Sequence, residues 1–236
     1  MQLFIGHPVS ETEAFLSEEE SWHCVKVLRH KAGDTIAMID GKGGFYKTTL
    51  TEANQKKCSL RIESKEFSEP IRKYKLHIAI APTKNIERIE WFVEKAVEIG
   101  IDEFSFVICK NSERKVIKID RIHKIVESAV KQSLQRYLPK VNDAIDFTSF
   151  LKQTNAGAQK FIAHCQTPGL PIFTNEFKAS GSNIVLIGPE GDFTLNEVNA
   201  SKEAGYKEIS LGENRLRTET AALYACNAFS VLEKIA

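Results

Sequence analysis

Residues 183–193 read NIVLIGPEGDF. The apolar run from Ile184 to Ile187 has the length and composition of a short buried strand. It does not run into an ordinary polar turn. Gly188 and Gly191 flank a proline and a carboxylate, so the strand ends in a bend whose missing side chains leave room for close approach. A second stretch, LGENRLRTETA at 211–221, repeats the idea. Gly212 leaves a strand, Arg215 and Arg217 follow, and Thr218-Glu219-Thr220 opens a long helix with small residues at its start. The free N–H groups of such a helix start favour negative charge.

Between and before these bends the chain alternates strand and helix. KLHIAIA (75–81), FSFVI (104–108), KFIAHC (160–165), NIVLIG (183–188) and EISLG (208–212) read as strands. Asn85 caps a helix whose Ile89, Phe92, Val93, Ala96 and Ile99 share a face, and Gly100 ends it. A second helix is expected over 120–137, with Ile122, Ile125, Val126, Ala129 and Leu134 inward. Thr194 and Glu197 have the spacing of a capping box, Gly205 closes that helix, and 218–235 forms the last one. The alternation predicts an α/β domain with a mainly parallel sheet covered on both faces. Sheets of this type bind ligands beyond the carboxyl ends of their strands, where both glycine bends lie.

The first 70 residues have another rhythm. TIAMID (35–40) and FYKTTLTEA (45–53) flank the glycine-rich turn DGKGG, and CSLRIES (58–64) alternates apolar and polar residues. One helix, SEEESWHCVKVLRH (17–30), opens with Ser17 and Glu20 at capping-box spacing. Short strands with one helix suggest a small barrel, and the boundary falls near 68–74, giving domains 1–70 and 71–236.

Composition narrows the function. The 236 residues are 42% hydrophobic, with no run near the roughly 20 apolar residues that span a bilayer. The N-terminus lacks the basic and apolar regions of a signal peptide. The five cysteines are scattered and odd in number, which fits free thiols in a reducing cytoplasm, and no Cys/His spacing suits a metal. Net charge is only +1, but Lys110–Lys140 holds nine Lys/Arg against three acids, +6 in one segment. Neither glycine loop matches a nucleotide fingerprint: GKGGFY lies between strands, and GPEGDF has no Gly-Lys-Ser/Thr.

The pair IGPEGDF and LGENRLRTETA resembles the ribosomal RNA small-subunit methyltransferase E family, of the SPOUT class of S-adenosylmethionine-dependent RNA methyltransferases. WHCVKVLRHKAGD, KNIERIEWFVEKAVEIGI, SERKV and KQSLQRYLP agree in the same order, so the similarity runs through nearly the whole chain. It implies an N-terminal PUA-like β-barrel, a trefoil-knotted C-terminal α/β domain, a homodimer, and methylation of N3 of a uridine in small-subunit (16S) ribosomal RNA. The matching cofactor positions are Leu186, Gly188, Glu190, Gly191, Leu211, Gly212, Leu216, Thr220 and Ala221. The chain departs from the family's pattern at three places. Asp192 stands in the usual Gly-Gly-Phe, Asn214 stands where an arginine is frequent with Arg215 beside it, and Leu134 occupies the usual glycine of KQSLQR, whose arginine appears at Arg136.

The chemistry asks for a cation that faces a developing uridine anion. Arg217 is the first candidate, with Arg136 and Arg88 behind it, and Glu219 either orients Arg217 or meets the cofactor's amino group. A surface pair of Arg217 and Glu219 on a capped helix, and a Glu190 that pins its loop, are the alternatives that stay open. RNA contacts are expected from Lys26, Arg29 and Lys31, from Arg88, and from Lys110, Arg114, Lys115 and Arg121. Tyr137 is either a stacking platform or a core residue at a helix end. Three other readings stay open: another SPOUT chemistry on ribose or purine, a non-catalytic RNA-binding assembly factor, and a Rossmann-type oxidoreductase.

Overall fold

The computed structural model describes residues 2–70, 72, 74–153, 157–177 and 181–235, the last three by backbone alone. The chain divides into two compact units, residues 1–71 with 127–138 and residues 72–126 with 139–236. Residues 127–138, expected in the second domain from the boundary near 68–74, cluster with the first unit instead.

The first unit is a closed five-stranded barrel. Its strands are β1 (Leu3–Pro8), β2 (Glu13–Leu16), β3 (Thr35–Ile39), β4 (Gly44–Glu52) and β5 (Ser59–Phe67). Their order is β1-β2-β5-β4-β3, and the parallel pairing of β1 with β3 closes the ring. Inward residues of alternate positions, among them Phe4, Leu16, Met38, Leu50 and Leu60, fill it. The expected 17–30 helix is shorter and broken: α1 (Glu18–Trp22) passes into a π-helical turn at His23–Val27. Only half of its capping box forms. The Ser17 hydroxyl accepts from the Glu20 N–H, but the Glu20 carboxylate accepts from Ile5 N and pairs with Lys131 instead.

The second unit is a six-stranded, wholly parallel sheet of order β11-β9-β10-β6-β7-β8. Its part of the chain runs through β6 (Tyr74–Ile80), α2 (Ile86–Ile99), β7 (Glu103–Ile108), α3 (Ile119–Gln132, which from residue 127 on clusters with the first unit), β8 (Lys140–Asp146), α4 (Phe147–Gln153), β9 (Gln159–Ala163), α5 (Phe173–Glu176), β10 (Gly181–Ile187), α6 (Leu195–Glu203), β11 (Lys207–Ile209) and α7 (Thr218–Ile235). The Asn85 cap, the Gly100 stop and the full Thr194–Glu197 capping box are all present. β10 lies between β9 and β6, so strands distant in sequence bring their carboxyl ends side by side. No helix among the described residues is long and apolar enough to cross a membrane.

The expected 120–137 helix ends at Gln132. Gln135 N–H bonds to Val130 C=O and Leu134 takes φ 55°, the arrangement of a Schellman cap with leucine at the left-handed position. That turn points Leu134 outward, 54% exposed, against the expectation of an inward side chain. Tyr137 donates its hydroxyl to Ser68 C=O at 2.8 Å within the first unit.

Candidate active site

The bend after β10 is tied down from several directions. Asp192 N–H closes a turn onto Pro189 C=O at 2.9 Å. Asn111, beyond the end of β7, donates its amide to Gly191 C=O at 3.2 Å and to Asp192 C=O at 3.0 Å. Asp192 sits at φ 61° and accepts from Cys165 N–H at 2.9 Å, beyond the end of β9, and from Phe193 N–H at 2.8 Å. Glu190 accepts from Lys84 N–H at 3.1 Å. A Cβ on Gly188 would meet the Phe193 ring at 3.0 Å, and one on Gly191 would meet Asn111 Cβ at 3.3 Å. These two glycines therefore make room for the protein's own side chains, and Gly188 does so on the wall of the cleft.

The bend after β11 is held more lightly. Gly212, at φ 129°, accepts from the Ser210 hydroxyl at 2.9 Å, and nothing lies within 4 Å of where its Cβ would be. Backbone conformation alone makes glycine the favoured residue there. The exposed arginines Arg215 and Arg217 follow, and neither guanidinium pairs with a described carboxylate. α7 opens immediately after, with Ala221 N–H to Arg217 C=O at 2.8 Å as its first rung. The N–H groups of residues 218–220 are thus left without intrahelical partners.

One hydrogen bond joins the two bends: the buried Thr218 hydroxyl donates to Gly188 C=O at 3.0 Å. Between them opens a cleft of about 390 Å³, lined on one side by Ile187–Glu190 and Asp192, on another by Ser210–Gly212 and Asn214–Thr218, and completed by Ala221, Arg88 and Ala163–Cys165. This volume lies within the range of pockets that enclose a drug-sized ligand. Its lining is amphipathic, with Leu211, Leu216 and Ala221 beside three arginines and two carboxylates. His164 forms part of the wall. Its Nδ1 accepts from Gln166 N–H at 3.1 Å, so Nε2 is the nitrogen left to donate to Glu208 at 3.2 Å. The Lys202 ammonium bonded to Glu208 holds that carboxyl below the usual range.

Known proteins share this architecture and sequence. The RNA methyltransferase domain family matches residues 70–230, and the RNA methyltransferase PUA domain family matches residues 16–63. The ribosomal RNA small subunit methyltransferase E of Mesomycoplasma hyopneumoniae is 30% identical over 85% of this chain and 86% of its own length. This chain belongs to the ribosomal RNA small subunit methyltransferase E family. In structure, the family resemblance extends over the full chain. A protein of Porphyromonas gingivalis described as a "probable rRNA-methyltransferase" superposes with a TM-score of 0.90 at 36% identity, covering 100% of this chain and 99% of its own. The methyltransferase E of Neisseria gonorrhoeae, solved bound to S-adenosyl methionine, superposes with a TM-score of 0.83 at 26% identity and 98% coverage of both chains. The barrel is thus PUA-like, and by family the chain is an RNA methyltransferase.

The cleft gathers many of the positions that the family resemblance marked. Gly188, Glu190, Leu211, Gly212, Leu216 and Ala221 line it, together with Arg88 and Arg217. Leu186 does not: it is fully buried in the core with Ala79, Ile162 and Phe193, because its side chain alternates to the sheet's packed face. Gly191 turns its backbone to Asn111, and Thr220 is exposed on α7 outside the lining. Glu219 is buried beside Arg88, 3.8 Å from its Nε, and makes no ion pair with Arg217, one of the two roles the sequence left open for it. Arg136 is not a cleft residue. It belongs to the first unit, where it bonds Glu66 at 2.9 Å and lies over the Phe45 ring.

The expected RNA contacts divide in the same way. Arg114 spends its guanidinium on Thr83 C=O and Lys84 C=O, and Arg121 pairs with Glu90 at 3.2 Å. Lys110 and Lys115 are exposed and make no ion pair with a described residue, as do Lys26, Arg29 and Lys31 on the barrel unit. Among the described residues no cluster of three or more His, Cys, Asp or Glu could hold a metal ion.

Ala163, His164, Cys165, Ile187, Pro189, Asp192, Ser210, Asn214, Arg215 and Thr218 line the cleft without having been candidates from sequence. The β9 end carried a usable signal, since KFIAHC was already recognisable as a strand of the parallel sheet and its carboxyl end faces the ligand side by rule. No glycine drew attention to it.

Proposed function

We propose that this chain methylates N3 of a uridine in small-subunit (16S) ribosomal RNA, with S-adenosylmethionine as the methyl donor. The observation that carries the reading is the cleft enclosed by the two joined bends, in a chain whose family includes a member solved with that cofactor. The residues present suit the group. Leu211, Leu216 and Ala221 offer apolar surface to an adenine ring, and the bends' backbone groups offer donors and acceptors to its polar edge.

The bound sulfonium supplies an electrophilic methyl group, and the products are the N-methylated base, the thioether and one proton. The chain's own residues align and stabilise. N3 lies on the Watson–Crick edge, so the base is accepted unpaired. Loss of the N3 proton leaves negative charge on N3 and its flanking carbonyl oxygens. Arg217, on the cleft wall and without a carboxylate partner among the described residues, is the cation we assign to that charge, with Arg215 two residues away. Lys26, Arg29, Lys31, Lys110 and Lys115 supply phosphate contacts in this reading. The working form is a cytoplasmic homodimer, for which exposed Trp91 and Tyr224 on the packed helices α2 and α7 offer apolar surface.

The test is direct. Small subunits from a strain lacking the gene are treated with the protein and labelled cofactor, and nucleosides are analysed by mass spectrometry. Labelled 3-methyluridine at one mapped position is expected. A ribose-methylated or purine-methylated nucleoside would shift the chemistry within the class, and no cofactor binding by calorimetry would point to an assembly factor.

A further inference from the structure

Arg88 lies in the first turn of α2, three residues after the Asn85 cap. Its guanidinium stands between two carboxylates from distant parts of the chain: Nη1 is 3.8 Å from Glu190 of the first bend, and Nε is 3.8 Å from Glu219 in the first turn of α7. Neither separation is a hydrogen bond. Glu219 is only 7% exposed, and its second oxygen, Oε2, is buried without a hydrogen-bond partner. A buried carboxylate with an unused oxygen is unfavourable unless a donor reaches it. The guanidinium carries five donors in a fixed fork, and a shift of about 1 Å turns either contact into a charge-assisted bond.

We propose that Arg88 is a positioning residue of the cofactor cleft, not an RNA contact: it clamps the Glu190 bend to the start of α7. The inference rests on the proposed function and deepens it. Thr218 joins the same two segments through the backbone of Gly188, and Arg88 joins them through their side chains. Without the cation, Glu190 on the cleft wall and the buried Glu219 behind it would be like charges with nothing between them, and the first bend would lose its electrostatic tie to α7. Arg88 also lines the cleft, so the clamp forms part of the wall against which a ligand packs.

The experiment compares wild type with R88M, R88K, E190Q and R88M/E190Q as full-length proteins. Cofactor affinity is measured by calorimetry, RNA affinity by filter binding, steady-state kinetics on small subunits, and the thermal midpoint without ligand. R88M is expected to weaken cofactor binding about 10-fold or more and raise the cofactor KM in step, with kcat changed less. RNA affinity stays near wild type, the thermal midpoint falls because buried Glu219 loses its cation, R88K recovers most of both losses, and R88M/E190Q is little worse than R88M alone in cofactor affinity. Unchanged cofactor affinity in R88M overturns the inference, whether or not RNA affinity falls. So does a general loss of thermal stability that R88K fails to rescue. Failure of the wild type itself to bind S-adenosylmethionine overturns the proposed function instead.

Discussion

Leu134 and Asp192 are non-glycine residues in the left-handed region, at φ 55° and 61°. An L-residue there costs about 1–2 kcal/mol. Asp192 recovers some of this through its bonds to Cys165 N–H and Phe193 N–H, which glycine could not make. Leu134, more than half exposed, has no such compensation in its side chain. Leu134→Gly should therefore stabilise the protein by up to about 1 kcal/mol after the glycine's larger unfolded-state entropy is allowed for. A urea midpoint that falls in the variant would contradict this. Arg217 belongs to the chemistry instead. Arg217→Ala should lower turnover by roughly 10²- to 10³-fold, as for loss of one donor to a developing anion, with folding unaffected. A variant within a few fold of wild type removes Arg217 from that role.

Among the elements, the two bends act as one object because Thr218 bridges them. Thr218→Val keeps the shape and leaves the Gly188 carbonyl without that donor, which should destabilise by about 1–3 kcal/mol and weaken cofactor binding. An unchanged denaturation midpoint would show that water replaces the hydroxyl. Helices α2 and α6 were legible in the sequence because their caps and periodic faces are local properties. β8 and α4 were not, because β8 is an edge strand with a mostly exposed pattern and few apolar residues to betray it. β8 nonetheless completes a polar network: Asn142 donates to Glu103, Phe104 C=O and Ser105, and Ser105 bonds to His77 at 2.8 Å. Burial pushes His77 down to about 4, with Glu103 opposing the shift and Lys140 adding to it. From its ordinary 6.5 down to 4, the unfolded chain takes up a proton that folded His77 refuses. Its stabilising contribution is complete above 6.5 and is lost as pH falls through that window, by at most about 1.4 kcal/mol per pH unit. Comparing urea midpoints of wild type and His77→Gln between pH 7 and 5 should show the steeper acid loss in wild type; parallel curves would refute it.

At the scale of the whole molecule, the sequence located two of the strand ends that form the cleft, because glycine marks a sharp bend wherever it leaves an apolar run. It could not apportion charge. The +6 segment looks like a basic face, yet the carboxylates that neutralise it come from far along the chain: Arg121 finds Glu90, Lys131 finds Glu20, Arg136 finds Glu66 and Lys140 finds Glu103. Pairing of that kind is set by topology, which one-dimensional spacing does not encode. Of the cations expected to contact RNA, five make neither an ion pair nor a side-chain hydrogen bond with a described residue: Lys110 and Lys115 on the second unit, and Lys26, Arg29 and Lys31 on the barrel unit. If these five contact phosphates of an unpaired RNA segment, the logarithm of affinity should fall with the logarithm of salt at a slope of about −3.5, roughly 10²-fold between 50 and 200 mM. Each alanine replacement among the five should reduce that slope by about 0.7, whereas Arg121→Ala should leave it unchanged because Glu90 already holds that charge. Filter binding over this salt range decides the matter. A flat profile, or a slope that responds to Arg121 and not to the lysines, would mean that RNA is held by some other surface.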